Sequence, residues 1–252
     1  MSEHAPLEGR SALVTGASAG IGLATARALA AAGARVTLTA RRRERLEAAA
    51  ASFPDGEPQL LAFDVRDAAA VRAALEGRVF DIVVLNAGLG LGLDKLQDGD
   101  PADWSEMIDT NVKGVLHVYR AVAPGMIARG RGDVVTLGSV AGRQVYPGGN
   151  VYCATKFAVR AVYEAMRLDA HGTGLRFCTV DPGMVQTDFS LVRFKGDAER
   201  AAKVYAGVDP LRPEDVAECI LFAVTRPPHV NVGELVVWAS AQGSTTLIDR
   251  RS

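Results

Sequence analysis

The sequence predicts a doubly wound α/β domain, a seven-stranded parallel sheet with helices on both faces. Three observations carry this. Short β-branched runs alternate with alanine-rich amphipathic stretches through most of the chain. The helical stretches have the length of the crossovers in βαβ units, which makes the strands they join parallel. Several strands are continuously apolar, Asp81-Ile82-Val83-Val84-Leu85 most plainly, as burial on both faces requires.

In chain order, strands are expected at residues 12–14, 35–39, 60–63, 81–85, 133–137, 175–180 and 235–238. Helices are expected at 21–32, 43–52, 68–76, 152–171 and 213–224, with two more covering about 101–129. No Pro/Gly-rich linker and no internal repeat divides the chain, so residues 1–252 read as one domain. The final segment, 240–252, lacks periodicity. It has two readings, a tail packing on a neighbouring subunit or simple fraying.

Composition narrows the partners. The 252 residues carry 28 Lys+Arg against 29 Asp+Glu, which removes the simplest case for a nucleic-acid or anionic-membrane partner. A chain this long buries roughly 70–75% of its unfolded surface and needs no disulfide or structural metal. Cys153, Cys178 and Cys219 form no CxxC pair, so they read as buried hydrophobes in a reducing compartment. His4, His117, His171 and His229 show no metal-ligand spacing, and no metal is expected. No apolar run approaches the ~20 residues of a membrane span. The polar, acidic N-terminus is unlike a signal peptide, and a cytoplasmic location is the default.

Chemistry collects where the strands end. After the first comes Thr15-Gly16-Ala17-Ser18-Ala19-Gly20-Ile21-Gly22, then a helix. Glycines there let a pyrophosphate approach the helix N-terminus, where N–H groups lack partners. The alternative is a tight turn built for packing. After the second strand stands Ala40-Arg41-Arg42-Arg43, where an NAD-selecting enzyme commonly has an acid. Arginines opening a helix oppose its dipole, so an anion is expected beside them. The 2′-phosphate of NADP fits through Arg41 and Arg42; a solvated charge run is the competing reading. Later strands end at Asp64-Val65, Asn86-Ala87-Gly88, Ser139 and Asp181-Pro182-Gly183. Ligands of open α/β sheets bind at this edge.

Tyr152 and Lys156 stand four residues apart on one helix face. A free phenol ionises near ~10, too high for acid–base work at neutral pH, and a nearby cation lowers it. Lys156 is the expected cation; an exposed helix pair is the alternative. Ser139 ends a strand at the same edge and reads either as a carbonyl-binding hydroxyl or as a cap. Asn111, inside a helix, competes with the backbone and marks a bend or bound water.

These segments, with Pro182-Gly183, resemble the short-chain dehydrogenases/reductases of standard length over about residues 8–240. The resemblance implies a Rossmann fold. It makes Tyr152 the general acid–base, Lys156 the group lowering its pKa and holding the ribose, and Ser139 the group orienting the carbonyl. Asn111 would support a proton-relaying water. Asp64 and Val65 would lie at the adenine, and Pro182, Gly183, Val185 and Thr187 near the nicotinamide and pyrophosphate. Leu85 departs from the family, which usually has asparagine there. A homotetramer is also implied, with the helices of 101–129 and 152–171 at one interface. The alanine stripe Ala154, Ala158, Ala161 and Ala165 suits close helix packing, either there or against the sheet.

Substrate-facing segments are expected at 89–93, 144–151 and a lid at about 187–205. Met107-Ile108-Asp109-Thr110-Asn111, Gly148-Gly149-Asn150-Val151-Tyr152 and Val192-Arg193-Phe194-Lys195-Gly196-Asp197 resemble the NADP-dependent 3-hydroxy acid dehydrogenases within the family. That implies serine, allo-threonine or 3-hydroxypropionate-like substrates, or the matching semialdehydes. Arg193 or Lys195 would meet the carboxylate; a solvated lid is the alternative. Two other readings stand beside this one: a reductase of bulkier ketones or 3-ketoacyl groups, and a non-catalytic NADP(H) sensor.

Overall fold

A computed structural model describes residues 5–53 and 56–251. Seven strands form one parallel sheet in the order β3-β2-β1-β4-β5-β6-β7. They are β1 (Ser11–Thr15), β2 (Arg35–Ala40), β3 (Gln59–Ala62), β4 (Ile82–Leu85), β5 (Gly132–Leu137), β6 (Leu175–Pro182) and β7 (Glu234–Val237). The helices are α1 (Gly20–Ala31), α2 (Arg43–Ala50), α3 (Ala68–Leu75), α4 (Pro101–Ile108), α5 (Gly114–Arg129), α6 (Asn150–Asp169), α7 (Phe189–Arg193), α8 (Ala198–Tyr205) and α9 (Pro213–Val224).

Strand alternation sorts the core into two layers. Ile82 and Val84 of β4 join α1, α2 and α9 on one face, through Leu29, Leu46 and Ile220. Val83 and Leu85 join α3, α5 and α6 on the other, through Val71, Val118 and Tyr163. Successive strand side chains point to opposite faces, so a strand buried on both must be apolar throughout. Leu85 is part of the second layer, which explains an apolar residue at that position. The sheet order reverses between β1 and β4, and the crevice beyond their carboxyl ends is where this architecture binds ligands.

The structure decides between readings that the sequence left open and corrects one expectation. Through residue 251 the tail from Ser240 does not fray but is tied to its own chain. Gln242 is buried and accepts from the Met184 N–H at 2.8 Å, and the Arg251 N–H donates to Gly207 at 2.8 Å. Of the two readings of the alanine stripe, the sheet-facing one fails: Ala154, Ala161 and Ala165 are exposed and Ala158 half-buried, because Cys153, Val159, Tyr163 and Met166 take the inward positions. Cys219 is half-buried rather than buried. His4 lies outside the described residues. No described helix is long and apolar enough to cross a membrane.

Candidate active site

The glycine turn between β1 and α1 is shaped for close approach. Gly16 has φ +65°, and a Cβ there would lie 2.9 Å from Ala87 Cα. A Cβ on Gly22 would lie 2.5 Å from Asn86 Nδ2 and from the Gly16 carbonyl, so α1 can start here only with glycine. Thr15 ties the turn to β4: its hydroxyl accepts from the N–H groups of Asn86 and Ala87 at 2.9 and 3.0 Å. Asn86 Nδ2 donates to the Thr15 carbonyl at 2.7 Å. The first residues of α1 have no side-chain cap, which leaves their N–H groups facing the crevice.

That crevice is a cleft of about 320 Å³. Gly16, Ser18, Ala19, Gly20, Ile21 and Gly22 line its base. Arg41 and Arg42 line one end, with Asp64 and Val65 beside them. Asn86, Ala87 and Gly88 form the middle; Pro182, Gly183, Val185 and Thr187 close the far wall. Ser139, Tyr152 and Lys156 face into it. Residues from six strand ends thus meet in one place. Leu89, Phe189 and Val192 come from the segments expected to face substrate, whereas sequence reasoning missed Phe63 and Arg45, the latter one turn into α2. Helical spacing from Arg42 was the available signal for Arg45.

Charges at the arginine end are arranged around two acids. Arg66 chelates Asp64, with its closest contact at 2.7 Å, and also approaches Glu106 at 3.3 Å. Arg41 reaches the same Glu106 at 3.4 Å. Burial works against ionised Asp64, but the Arg66 bonds and the Arg41 charge outweigh it and hold the carboxyl below its ordinary value. Arg43 turns away to pair with Glu47 at 2.9 Å. Arg42 and Arg45 carry no ion pair among the described residues.

The opposite end holds the titratable pair. Lys156 is buried and donates to the Leu137 carbonyl at 2.9 Å. Burial pushes its pKa down to about 8, with Asp181 opposing the shift. Burial pushes the Tyr152 phenol up to about 12, against the charge of Arg193 and the bond from Ser139. Lys156, the expected cation, has its Nζ 6.0 Å from the ring centroid, and Arg193 brings a second cation nearer, with Cζ 4.8 Å away. Ser139 also accepts from the Ala141 N–H at 3.1 Å, so the hydroxyl is both a cap and a cleft residue.

Asn111 does not line the cleft. It sits in a π turn, Asp109–Lys113, between α4 and α5, and its amide is spent on both backbone groups of Leu89 at 2.8 Å and on Thr155 at 3.0 Å. It therefore fixes the segment after β4 to α6. Lys195 is also outside. A positive φ of 52° turns it toward α4, where Nζ pairs with Asp103 at 2.9 Å. Of Arg193 and Lys195, only Arg193 stands over the Tyr152 ring.

A family model for short chain dehydrogenases matches residues 10–197, and the chain belongs to that family. It is an oxidoreductase of the kind that acts on CH–OH groups. The chain is 43% identical to the NADP-dependent 3-hydroxy acid dehydrogenase of Salmonella typhi, over 95% of this chain and 99% of that one. It is 40% identical to the enzyme of the same description from Schizosaccharomyces pombe, over 97% and 98%. Among solved structures, the closed form of serine dehydrogenase complexed with NADP+ matches with a TM-score of 0.90. Its identity is 41%, covering 96% of this chain and 100% of that chain.

Proposed function

We propose that this chain is an NADP-dependent dehydrogenase of small 3-hydroxy acids, interconverting serine, allo-threonine or 3-hydroxypropionate-like alcohols with their semialdehydes or ketones. The observation that carries the substrate class is Arg193, a guanidinium set over the ring of Tyr152 at the edge of the cleft, beside the lining residues Phe189 and Val192. An acid with its hydroxyl at Tyr152 would meet that cation with its carboxylate. The similarity to 3-hydroxy acid and serine dehydrogenases points to the same chemistry.

The residues present fit the cofactor. The uncapped N–H groups of α1 open on the cleft where a pyrophosphate would lie, and Arg41, Arg42 and Arg45 gather positive charge where a 2′-phosphate would lie. NADP supplies the hydride chemistry when bound. Ser139 orients the substrate oxygen. Tyr152 takes the hydroxyl proton during oxidation and returns it during reduction. Lys156 contributes charge beneath the phenol and a donor to the ribose. Asn111 holds the 89–93 wall in place. In this reading Asp64 and Val65 flank the adenine, while Pro182, Gly183, Val185 and Thr187 enclose the nicotinamide end.

Residues 187–205 act as the lid in this account, through α7 and α8, latched by Lys195 to Asp103. Outward apolar residues on α4, α5 and α6 (Ile108, Leu116, Phe157 and Leu168) support a homotetramer. Three free cysteines suit the cytoplasm.

The test is a spectrophotometric NADP+ panel of serine, allo-threonine, 3-hydroxyisobutyrate, simple alcohols and a 3-ketoacyl thioester, run with wild type and Arg193→Ala. The reading expects the hydroxy acids to lead, with KM rising in the variant for acids and not for uncharged alcohols. Preference for the thioester, or equal effects on acids and alcohols, would refute it.

A further inference from the structure

Two cations address the Tyr152 ring, and the nearer one comes from the lid. Arg193 Cζ lies 4.8 Å from the ring centroid, against 6.0 Å for Lys156 Nζ, whose ammonium is also committed to the Leu137 carbonyl. Several contacts hold the guanidinium there. Its Nη2 donates to the Tyr146 hydroxyl at 2.9 Å, its Cζ lies 4.9 Å from the centroid of Phe189, and the Arg193 carbonyl accepts from the Gly92 N–H at 3.0 Å. Phe189 packs in turn on Tyr152, with centroids 5.4 Å apart. The Arg193 Nε is buried and has no hydrogen-bond partner among the described residues.

We propose that Arg193 is a positioning residue acting through Tyr152: α7 carries a permanent positive charge onto the phenol ring, which offsets part of the cost of ionising the buried acid–base group when the lid lies over it. This rests on Tyr152 being the acid–base group, and it goes beyond Arg193 meeting a carboxylate. A ring that loses its proton becomes richer in electrons, so a cation on its face favours phenolate over phenol. Guanidinium keeps its charge across the whole working range, whereas burial brings Lys156 down to about 8 and its charge fades as the medium turns alkaline.

The other groups facing Tyr152 do not supply that charge. Tyr146, before α6, and Cys153, on α6, are both pushed up by burial and stay neutral near pH 7. Ser139 contributes a hydrogen bond only, and Asp188 enters the cleft beside α7 as an acid. Asp181, on β6, acts on Lys156.

The experiment is the pH dependence of kcat/KM for oxidation at saturating NADP+, with 3-hydroxypropionate and its uncharged amide. Wild type, Arg193→Gln, Arg193→Lys and Tyr146→Phe are compared, with NADPH binding followed by fluorescence to show that each variant is folded. The acidic limb reports loss of the base's proton. Arg193→Gln should move it upward by about one pH unit with both substrates, the scale expected for one nearby charge. Arg193→Lys should hold the limb near its wild-type place, and Tyr146→Phe should move it upward by less. An unmoved limb in Arg193→Gln, with KM raised for the acid alone, would overturn this inference and leave the carboxylate reading standing. A moved limb with unchanged preference for acid over amide would support it while removing that reading.

Discussion

Replacing Arg42 by alanine removes one positive charge from the end of the cleft where β2 meets α2, and the structure sets how much that should matter. Arg42 precedes α2 in an extended conformation, lines the cleft and is exposed. Neighbouring Arg41 divides its charge with Glu106 at 3.4 Å, so Arg42 is the less committed of the pair. A hydrogen bond to a charged group contributes about 1.5–3 kcal/mol. Exposure and salt screening place this one near the lower figure. At ~1.4 kcal/mol per tenfold change, Arg42→Ala should lower kcat/KM for NADP+ by roughly tenfold. The same constant for NAD+ should change by less than about twofold, since NAD+ has no 2′-phosphate. Initial rates with both cofactors at low and high ionic strength make the assay, and the NADP+ loss should shrink as salt rises. An equal fall with both cofactors would mean the residue shapes the cleft rather than reads the phosphate. No fall with either would refute the assignment.

Two other perturbations probe the scaffold. Burial disfavours ionised Asp81, yet bonds from the Ser11 N–H and hydroxyl at 2.8 and 2.9 Å, with Arg129 at 3.2 Å, hold its carboxyl below the ordinary value. A lowered folded pKa gives stability that is present above the unfolded value and is lost as pH falls through the folded one. Asp81→Asn should therefore cost about 1–3 kcal/mol at neutral pH and lose less stability below pH ~4 than wild type, read by urea unfolding at each pH; a constant difference across pH would contradict the ionic account. Phe157→Glu, on the outward face of α6, should split the proposed tetramer into smaller species in light scattering, and an unchanged mass would remove that face from the interface.

What the sequence disclosed depended on how local the determinant is. The cleft's base and middle were legible because each residue follows a strand directly, and a parallel sheet sends all such positions to one edge. Asn111 was visible as a polar residue at odds with a helix; its π turn is the physical reason, though its side chain braces Leu89 rather than facing the cleft. The lid was hidden. Whether Arg193 or Lys195 turns inward depends on one left-handed residue and on Asp103 of α4, both matters of tertiary packing. Tyr146 and Phe189, which hold Arg193, carry no pattern in sequence that distinguishes them from ordinary core aromatics. Gln242 was equally silent, since its partner at Met184 is remote along the chain.

Single-turnover hydride transfer in Tyr152→Phe, measured by stopped-flow absorbance at saturating NADP+ and hydroxy acid, tests most directly whether this phenol moves the proton. The account predicts a rate lower by several orders of magnitude, together with NADPH affinity close to that of wild type. A transfer rate near the wild-type value would contradict it.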